Sequence, residues 1–453
     1  MKYLFEPKSI AVIGASRDER SVGFGILKNL VHGGFYDSPY CAPFVGKVYA
    51  INPKADEILG NKCYKSILDI EDKVDLAVVA VPAKIVPIVI KQCIKKKVGG
   101  VIIISAGFAE FNKQGKIMQD KIVSDLRKAK IPLVGPNCLG IINTANHMNA
   151  SFAPTMPPGG SVGFISQSGA LADSIIDWAV EEKYGFSKII SYGNKADLKI
   201  YDFIEYLDHD KETKAITLYI EGIDDGKKFM KIAKKCRKPI IALKAGKTGT
   251  GAKAISSHTG SLAGAYETYL AAFKQSNIIV AETVEELFDI AKAVANQPFT
   301  KDGIGIITNG GGCGVLCADY CEDFGLDVVE LKEETLKRLD KSGMHPAYSR
   351  RNPLDLVGDA LSERYESAIN ILLEEKYVNG LIVIQTLQTM TDPVANAKVI
   401  VEAQKKFPEK PIICVYMGGK FSKPCMKILE ENGIPDYNDL RKAARAMRVL
   451  VKE

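Results

Sequence analysis

The chain has 453 residues, which is too long for one ordinary hydrophobic core and fits two to four domains. Hydrophobic residues make up 46% of it and charged residues 25%, close to the usage of globular proteins, so the composition excludes a disordered or fibrous protein. The net charge of +6 is mild, and neither a nucleic-acid motif nor an interleaved basic and aromatic patch accompanies it, so we expect no nucleic-acid partner.

The N-terminus lacks the features of an exported or membrane protein. It has no apolar stretch long enough for a signal peptide, and Glu6 and Lys8 interrupt it. No window approaches the roughly 20 apolar residues of a membrane helix, so we expect a cytoplasmic protein without a membrane partner. In the reducing cytosol the ten cysteines would remain thiols. Cys313, Cys317 and Cys321 recur at helical spacing, which is more typical of a packed helix face than of a metal site, and no metal site is predicted.

Three times the chain begins an apolar strand that runs into a glycine-bearing turn and a helix. These openings are SIAVIGAS from Ser9, SVGFISQSGAL from Ser161 and GIGIITNGGGCGVL from Gly303. Each apolar run is continuous rather than alternating, which is typical of a strand covered on both faces in a parallel sheet. Later strands are predicted at KVYAINP, DLAVVAVP, GGVIIISAG, IPLVGPNC, AITLYIEG, PIIALKAG, NGLIVIQT and PIICVYMG. Breaks at MPPGG and near Pro298 divide three predicted α/β domains, at about 1–150, 151–298 and 299–453.

The first opening predicts a site for a phosphate-bearing ligand. Its strand ends at Gly14, and Gly23 lies where the helix begins, so the backbone can approach phosphate oxygens. The alternative is a tight turn that binds nothing. The second strand ends at Asn52 and Lys54, where a nicotinamide-binding domain normally has Asp or Glu. A lysine there favours a phosphorylated ribose, so the pattern fits coenzyme A better than NAD, while NADP remains possible on charge alone.

One of the five histidines, His258, lies in a run of glycines and small residues, KAGKTGTGAKAISSHTGSLAG, where backbone can approach an anion. Two helix starts offer free N–H groups and a partial positive charge to a phosphorylated imidazole. They contain Ser166, Gln167, Ser168 and Gly169 in SQSGAL, and Asn309, Gly310, Gly311 and Gly312 in NGGGCG. Each helix start is alternatively no more than a cap. Glu221, at the end of ITLYIEG, is a candidate to hold the proton-bearing nitrogen of His258, with an exposed loop acid as the alternative.

Together these motifs resemble the NDP-forming acyl-CoA synthetases, relatives of succinyl-CoA synthetase. LFEPKSIAVIGAS, INPK, AVPA and GPNCLG resemble the CoA-binding domain of that family, while SQSGAL, SSHTGSLAG and NGGGCG resemble its phosphohistidine site. The resemblance implies a Rossmann-like CoA-binding domain followed by two flavodoxin-like parallel-sheet domains. The CoA contacts that it implies are Gly14, Ala15, Ser16, Arg17, Val22, Gly23, Asn52, Lys54, Val81 and Pro82, with Pro136 and Asn137 near the thiol. RNPLDLVGDA resembles the segment near the acyl and phosphate site, so Asn352 and Asp355 are substrate candidates, although a simple turn is the alternative.

The resemblance also implies an activity and a partner. The activity is that of the alpha subunit of an ADP-forming acyl-CoA (acetyl-CoA) synthetase, an acid–thiol ligase. It converts acyl-CoA, phosphate and ADP reversibly to a carboxylic acid, CoA and ATP through an acyl phosphate and a phosphohistidine at His258. Since no GxxxxGK[ST] loop occurs, ADP/ATP and Mg²⁺ are expected on an ATP-grasp beta subunit in an α2β2 complex, or on fused C-terminal ATP-grasp domains.

Three alternatives compete with the ligase. They are a non-catalytic CoA-binding regulatory module, a protein acetyltransferase and an NADP reductase. The regulatory module is expected to lack His258, Glu221 or one of the two helix starts, and all four are present. The motifs leave the preferred acid and the choice between ADP and GDP open.

Overall fold

The structure, a computed structural model, describes residues 1–259 and 265–452, without the side chains of residues 256–259. The chain forms two compact units, Met1–Leu287 and Phe288–Glu453. We describe each unit by itself.

The first unit opens with a seven-stranded sheet formed by described residues, in the order β3-β4-β2-β1-β5-β6-β7. The strands are β1 (Ser9–Ile13), β2 (Lys47–Ile51), β3 (Glu57–Ile58), β4 (Asn61–Tyr64), β5 (Leu76–Val79), β6 (Gly100–Ile103) and β7 (Leu133–Val134). All neighbours pair in parallel except β3 and β4. Ile10 and Val12 of β1 pack into one hydrophobic cluster, and Ala11 and Ile13 into another. The continuous apolar run therefore reflects burial on both faces of the sheet.

A second sheet in the same unit has the strand order β14-β13-β12-β10-β11-β8-β9. Its strands are β8 (Gly140–Asn143), β9 (Met148–Ser151), β10 (Gly159–Ser166), β11 (Phe186–Ser191), β12 (Ala215–Ile220), β13 (Ile240–Lys244) and β14 (Ile278–Ala281). The strands from β10 to β14 pair in parallel, and the hairpin of β8 and β9 adds antiparallel strands beside β11. The carboxyl ends of β10, β12 and β13 therefore meet at one edge.

Helices connect these strands. In the described part of the first unit they are α1 (Lys2–Phe5), α2 (Val22–His32), α3 (Val86–Lys96), α4 (Lys113–Lys128), α5 (Gly169–Glu182), α6 (Ile200–His209), α7 (Gly226–Lys235), α8 (Gly249–Thr259) and α9 (Tyr266–Gln275). Short 3-10 turns lie at Ile67–Asp69 and Thr144–Asn146. Parallel strands require such crossovers, because each must begin at the edge opposite to the one where the last strand ended.

The second unit contains a five-stranded parallel sheet in the order β16-β15-β17-β18-β19. Its strands are β15 (Ile304–Thr308), β16 (Leu354–Asp355), β17 (Gly380–Thr386), β18 (Ile412–Met417) and β19 (Asp436–Tyr437). The helices are α10 (Val284–Asn296), which begins just before the unit, α11 (Gly311–Asp323), α12 (Glu333–Asp340), α13 (Ser362–Glu374), α14 (Pro393–Lys406), α15 (Lys423–Glu431) and α16 (Leu440–Leu450). Buried residues of β17 and β18, such as Val383 and Cys414, join the helices in one core.

The predicted fold class is confirmed, since three sheets dominated by parallel pairing alternate with helices along the described chain. The hairpin of β8 and β9 begins before residue 150 but pairs with the second sheet. The division into three domains at about 150 and 298 stays a prediction. Of the helices that the structure describes, none is both long and apolar enough to cross a membrane.

Candidate active site

The turn between β1 and α2 allows a very close approach of two backbone segments. Gly14 has φ +100°, and a Cβ on it would lie 2.4 Å from the carbonyl oxygen of Ala80. A Cβ on Gly23 would lie 1.9 Å from the Gly14 oxygen. Ser21 caps α2 by accepting a hydrogen bond from the Phe24 N–H at 3.2 Å. These contacts require glycine at both positions and place the helix N-terminus at the end of β1, where a phosphate group can be bound.

Asn52 connects the loop after β1 to the loop after β2. Its Nδ2 donates to the Ala15 carbonyl at 2.8 Å, and its Oδ1 accepts from the Lys54 N–H at 2.8 Å. Arg17 Nη2 reaches back to the Lys54 carbonyl at 3.3 Å. The exposed Lys54 side chain thus extends from a braced loop beside the predicted phosphate site. Other predicted CoA contacts follow strand ends or line the same helix start, namely Ser16, Val22, Val81, Pro82 and Pro136.

Three polar side chains form a line of hydrogen bonds where the thiol of CoA is predicted to bind, and the sequence analysis identified only Asn137 among them. Asn137 Nδ2 donates to Asn194 Oδ1 at 3.3 Å, and Asn194 Nδ2 donates to Glu110 Oε2 at 2.5 Å. Burial acts to raise the pKa of Glu110, but hydrogen bonds from Asn194 and from the N–H groups of Gly107 and Phe108 outweigh it and lower the pKa. Glu110 and Asn194 were missed because neither belongs to a phosphate-binding pattern, although Asn194 follows the buried strand β11.

The helix start at Ser166–Gly169 is a well-formed cap. Ser168 accepts a hydrogen bond from the Leu171 N–H at 3.2 Å, and Ser166 Oγ accepts from the Ser168 N–H at 3.1 Å. Gly169 is the first residue of α5. The cap therefore orders the turn and presents the positive end of the α5 dipole at the carboxyl edge of the second sheet.

Gln167 binds the turn after β12 rather than pointing freely into solvent. Its Oε1 accepts from the Gly222 N–H at 2.9 Å and from the Glu221 N–H, while its Nε2 donates to the Gly222 carbonyl at 2.6 Å. The carboxamide thus makes hydrogen bonds with three main-chain groups of the turn that carries Glu221. Its prediction as a phosphate ligand stays untested, but the contacts give it a defined role in fixing Glu221.

Lys244, which the sequence analysis did not single out, lies next to Glu221. In the sheet, Lys244 of β13 pairs with Ile220 of β12, and Glu221 is the residue that follows Ile220. The Lys244 side chain is only 4% exposed, its Nζ donates to the Ala245 carbonyl, and it lies 4.5 Å from the ring centroid of Tyr269. Burial lowers the pKa of Lys244, and the charge of Glu221 acts in the opposite direction. The sequence offered one sign that Lys244 belongs to the site, namely that a lysine ends an otherwise apolar strand.

His258 belongs to α8, but its side chain lies outside the described residues. The beginning of α8 is described. Gly246, two residues after Lys244, has φ +83°, and a Cβ on it would lie 2.6 Å from Ile255 Cδ1. Helix α8 therefore folds back on the turn that follows β13. The role of His258 as the phosphorylated residue stays a prediction.

In the second unit, Asn309 joins the ends of β15 and β17. Its Nδ2 donates to the Thr386 carbonyl at 2.9 Å, and its Oδ1 accepts from the Thr386 N–H at 2.8 Å. Gly310 caps α11 through its backbone, and a Cβ on Gly312 would meet no atom within 4 Å. Within this unit, close approach to the backbone of α11 is therefore open at Gly312.

The two substrate candidates of the second unit have different surroundings. Asn352 Nδ2 donates to the Ile304 and Val329 carbonyls, each at 2.9 Å, and its Oδ1 accepts from the Ile306 N–H at 2.9 Å. Asp355 Oδ2 lies only 2.6 Å from the position of a Cβ on Gly311, at the start of α11. Asp355 is thus beside the predicted anion site, whereas the Asn352 side chain braces the sheet. Both substrate roles stay predictions.

No group of three or more His, Cys, Asp or Glu side chains among the described residues is arranged to hold a metal ion. A hydrogen bond with Cys321 and burial both raise the pKa of the Cys317 thiol, and both cysteines are fully buried. Both thiols lie on the buried face of α11 in the second unit, where they pack as small apolar side chains.

Comparisons with known proteins identify the family of this chain. A CoA-binding domain model matches residues 8–144, a succinyl-CoA ligase-like flavodoxin domain model matches 159–294, and a ligase-CoA domain model matches 304–448. The alpha subunit of ADP-forming acetate–CoA ligase II from Pyrococcus furiosus is 42% identical over 100% of this chain and 98% of its own length. The chain belongs to the NDP-forming acyl-CoA synthetases.

Other members of the family differ in length. The ADP-forming acetate–CoA ligase I of Archaeoglobus fulgidus is 44% identical over 99% of this chain, and the ADP-forming acetate–CoA ligase of Methanocaldococcus jannaschii is 46% identical over 100%. The chain spans 63% of the length of each of these two relatives.

Two solved structures share the fold of this chain. A crystal structure from Pyrococcus horikoshii is 40% identical, with a TM-score of 0.89 over 100% of this chain and 98% of that one. The dinucleotide forming acetyl-coenzyme A synthetase 1 of Candidatus Korarchaeum cryptofilum, in complex with phosphate and ADP, is 37% identical, with a TM-score of 0.90 over 99% and 96%. The family and the fold class predicted from the sequence are therefore confirmed.

Proposed function

We propose that this chain is the alpha subunit, or the corresponding portion, of an ADP-forming acyl-CoA synthetase that acts on acetyl-CoA or a related small acyl-CoA. The observation that carries the proposal is the arrangement at the edge of the second sheet. There Gln167 holds the turn of Glu221, and β13 leads directly into the helix that contains His258. Parallel sheets bind ligands at the carboxyl ends of their strands, so this edge is the expected position for chemistry.

The reaction begins at the thioester. A phosphate oxygen attacks the acyl carbon, the carbon–sulfur bond breaks, and CoA leaves as a thiolate while an acyl phosphate forms. The neutral nitrogen of His258 then takes the phosphoryl group from the acyl phosphate and releases the carboxylate. In the last step ADP takes the phosphoryl group from His258, which gives ATP and restores the imidazole.

The residues of this chain contribute positioning and charge. The turn at Gly14 and Gly23 would hold the phosphates of CoA, and the starts of α5 and α11 would stabilise the negative charge of the phosphoryl group. Glu221 would accept a hydrogen bond from the imidazole nitrogen that does not react, so the other nitrogen carries the lone pair.

The nucleotide is proposed to bind elsewhere. We propose an ATP-grasp partner that holds ADP and Mg²⁺, either as a beta subunit in an α2β2 complex or as further domains of a longer chain, in a cytoplasmic enzyme. Two observations support this. The Pyrococcus furiosus relatives are named alpha subunits, and the Archaeoglobus fulgidus relative is longer than this chain.

The test is intact-mass analysis after incubation with acetyl-CoA and phosphate, with other acyl-CoAs in parallel. The wild-type chain is expected to gain an acid-labile phosphoryl group, and His258→Asn is expected to gain none. His209→Asn is the matched control, because His209 is exposed on α6 and its Nδ1 contacts the Glu205 carbonyl at 2.9 Å. If no acyl-CoA yields the adduct, even with an ATP-grasp partner and ATP present, the chain is a CoA-binding module and not a ligase.

A further inference from the structure

Lys244 places a buried positive charge at the proposed phosphoryl site, and it forms no ion pair with a carboxylate of the described residues. Lys244 is 4% exposed, its Nζ donates to the Ala245 carbonyl, and its ammonium faces the ring of Tyr269. A carbonyl and a ring face offset only part of the cost of removing an ammonium group from water. Burial lowers the pKa of this lysine accordingly. A negative group nearby would stabilise the charged form of Lys244.

Glu221 supplies a negative charge close to Lys244, although the two side chains form no ion pair. It follows Ile220, the strand partner of Lys244, and its charge acts on the Lys244 ammonium against the effect of burial. Tyr269 connects the two positions, since its hydroxyl accepts a hydrogen bond from the Ile223 N–H at 3.2 Å while its ring faces the Lys244 ammonium. The lysine, the tyrosine and the turn after β12 therefore form one packed cluster.

Other charged groups near this cluster have partners of their own. Lys195 and Lys199 pair with Asp224 at 3.1 and 2.9 Å, and Lys247 pairs with Glu282 at 3.6 Å. None of these ion pairs includes Lys244.

We propose that Lys244 is a positioning residue for phosphoryl transfer, which fixes the carboxylate of Glu221 so that it can orient His258. The inference rests on the proposed function. The ammonium attracts the carboxylate, Gln167 fixes the backbone of the same turn, and Tyr269 contacts both that turn and the lysine. The main chain of Glu221 is then fixed by Gln167, and its carboxylate is attracted by Lys244. Helix α8, which contains His258, begins after the turn that follows Lys244.

The experiment compares the rate of phosphoryl adduct formation from acetyl-CoA and phosphate in the wild-type full chain and in three variants of it. Lys244→Met keeps the apolar stem and removes the charge, and we expect about a tenfold or greater loss of rate with unchanged affinity for CoA. Lys244→Arg keeps the charge and is expected to recover most of the rate. Lys238→Met is the matched control, because Lys238 precedes β13 at its opposite end and donates to the Leu207 carbonyl at 2.5 Å and to the Asp210 carbonyl.

A double-mutant cycle with Glu221→Gln separates a positioning role from direct contact with phosphate. If Lys244 acts through Glu221, then Lys244→Met costs little further rate in the Glu221→Gln background. Additive losses would overturn the proposal, as would a wild-type rate in Lys244→Met or an equal loss in Lys238→Met.

The proposal remains testable if Lys244→Met does not fold. Lys244→Gln, which keeps a donor for the Ala245 carbonyl, then replaces it, and a wild-type rate in that variant would overturn the inference. If the wild-type chain forms no adduct at all, the proposed function fails and this inference fails with it. An adduct in the wild type with no effect at Lys244 overturns this inference alone.

Discussion

Replacing Gln167 by leucine should release the turn that carries Glu221. In the structure, the carboxamide makes hydrogen bonds with the N–H groups of Glu221 and Gly222 and with the Gly222 carbonyl. A leucine fills the same space but leaves these main-chain groups without partners. At about 1 kcal/mol net for each hydrogen bond, Gln167→Leu is expected to cost about 3 kcal/mol of local stability.

Hydrogen exchange measured by mass spectrometry reports this local change directly. A loss of about 3 kcal/mol corresponds to roughly a hundredfold faster exchange in peptides that cover residues 219–224. The rate of phosphoryl adduct formation should fall as well, since Glu221 loses its fixed position. Ser168→Ala is the matched control in the same helix start. It removes a cap worth about 1 kcal/mol and should leave exchange at 219–224 unchanged.

A second variant separates the contribution of the Gln167 amide oxygen from that of its amide nitrogen. Gln167→Glu keeps an oxygen for the two N–H groups but places another oxygen against the Gly222 carbonyl, which is now 2.6 Å from Nε2. Exchange should therefore be faster than in the wild type and slower than in Gln167→Leu. The reasoning is refuted if Gln167→Leu loses adduct formation while exchange at 219–224 stays at the wild-type rate. Gln167 would then act on the phosphoryl group directly.

Three further predictions concern CoA binding and the second unit. Gly23→Ala should weaken CoA binding at least about tenfold in calorimetry, because its Cβ would lie 1.9 Å from the Gly14 oxygen, whereas Gly25→Ala, whose nearest atom is 4.0 Å away, should bind normally. Lys54→Met should weaken binding of CoA about tenfold but leave that of 3′-dephospho-CoA unchanged, and equal losses for both ligands would contradict a contact with the 3′-phosphate. Burial raises the pKa of Asp436 to about 8 from an ordinary value of 3.8, so the native state retains a proton that the unfolded chain releases. Stability of the second unit should fall as pH rises from about 4 to 8 in denaturant unfolding, and Asp436→Asn should flatten that dependence.

The parallel strands were predictable because each is a short apolar run closed by a glycine, proline or polar turn. Burial of Ile10 and Ala11 on opposite faces shows why such a run does not alternate. The hairpin of β8 and β9 was not predicted as part of the second sheet. Its residues follow the first-domain motif GPNC directly, and pairing with β11 depends on contacts distant in the chain.

Predicted positions within the site were more informative than predicted contacts. The sequence placed Gln167 and Asn309 at the starts of helices, where they lie, and Asn352 in a segment that could be a turn, but a motif does not reveal which partner a carboxamide will bind. Lys244 was missed because its position in the sequence gives no sign of its surroundings. A single lysine at the end of an apolar strand looks like a solvated terminus, and only the register beside Ile220 places it next to Glu221.

These three carboxamides have a common function. Gln167 joins the ends of β10 and β12, Asn309 joins β15 and β17, and Asn352 reaches β15 from the segment before β16. Each makes hydrogen bonds with main-chain donors and acceptors at once, which a carboxylate or an ammonium group cannot do. Because these amides are neutral, Gln167 and Asn309 order the ends of their strands, and Asn352 braces β15 nearer its beginning, without adding charge. In the proposed function, the groups that act on the phosphoryl group are then the N–H groups at helix starts, while Glu221 and Lys244 are proposed to orient the histidine.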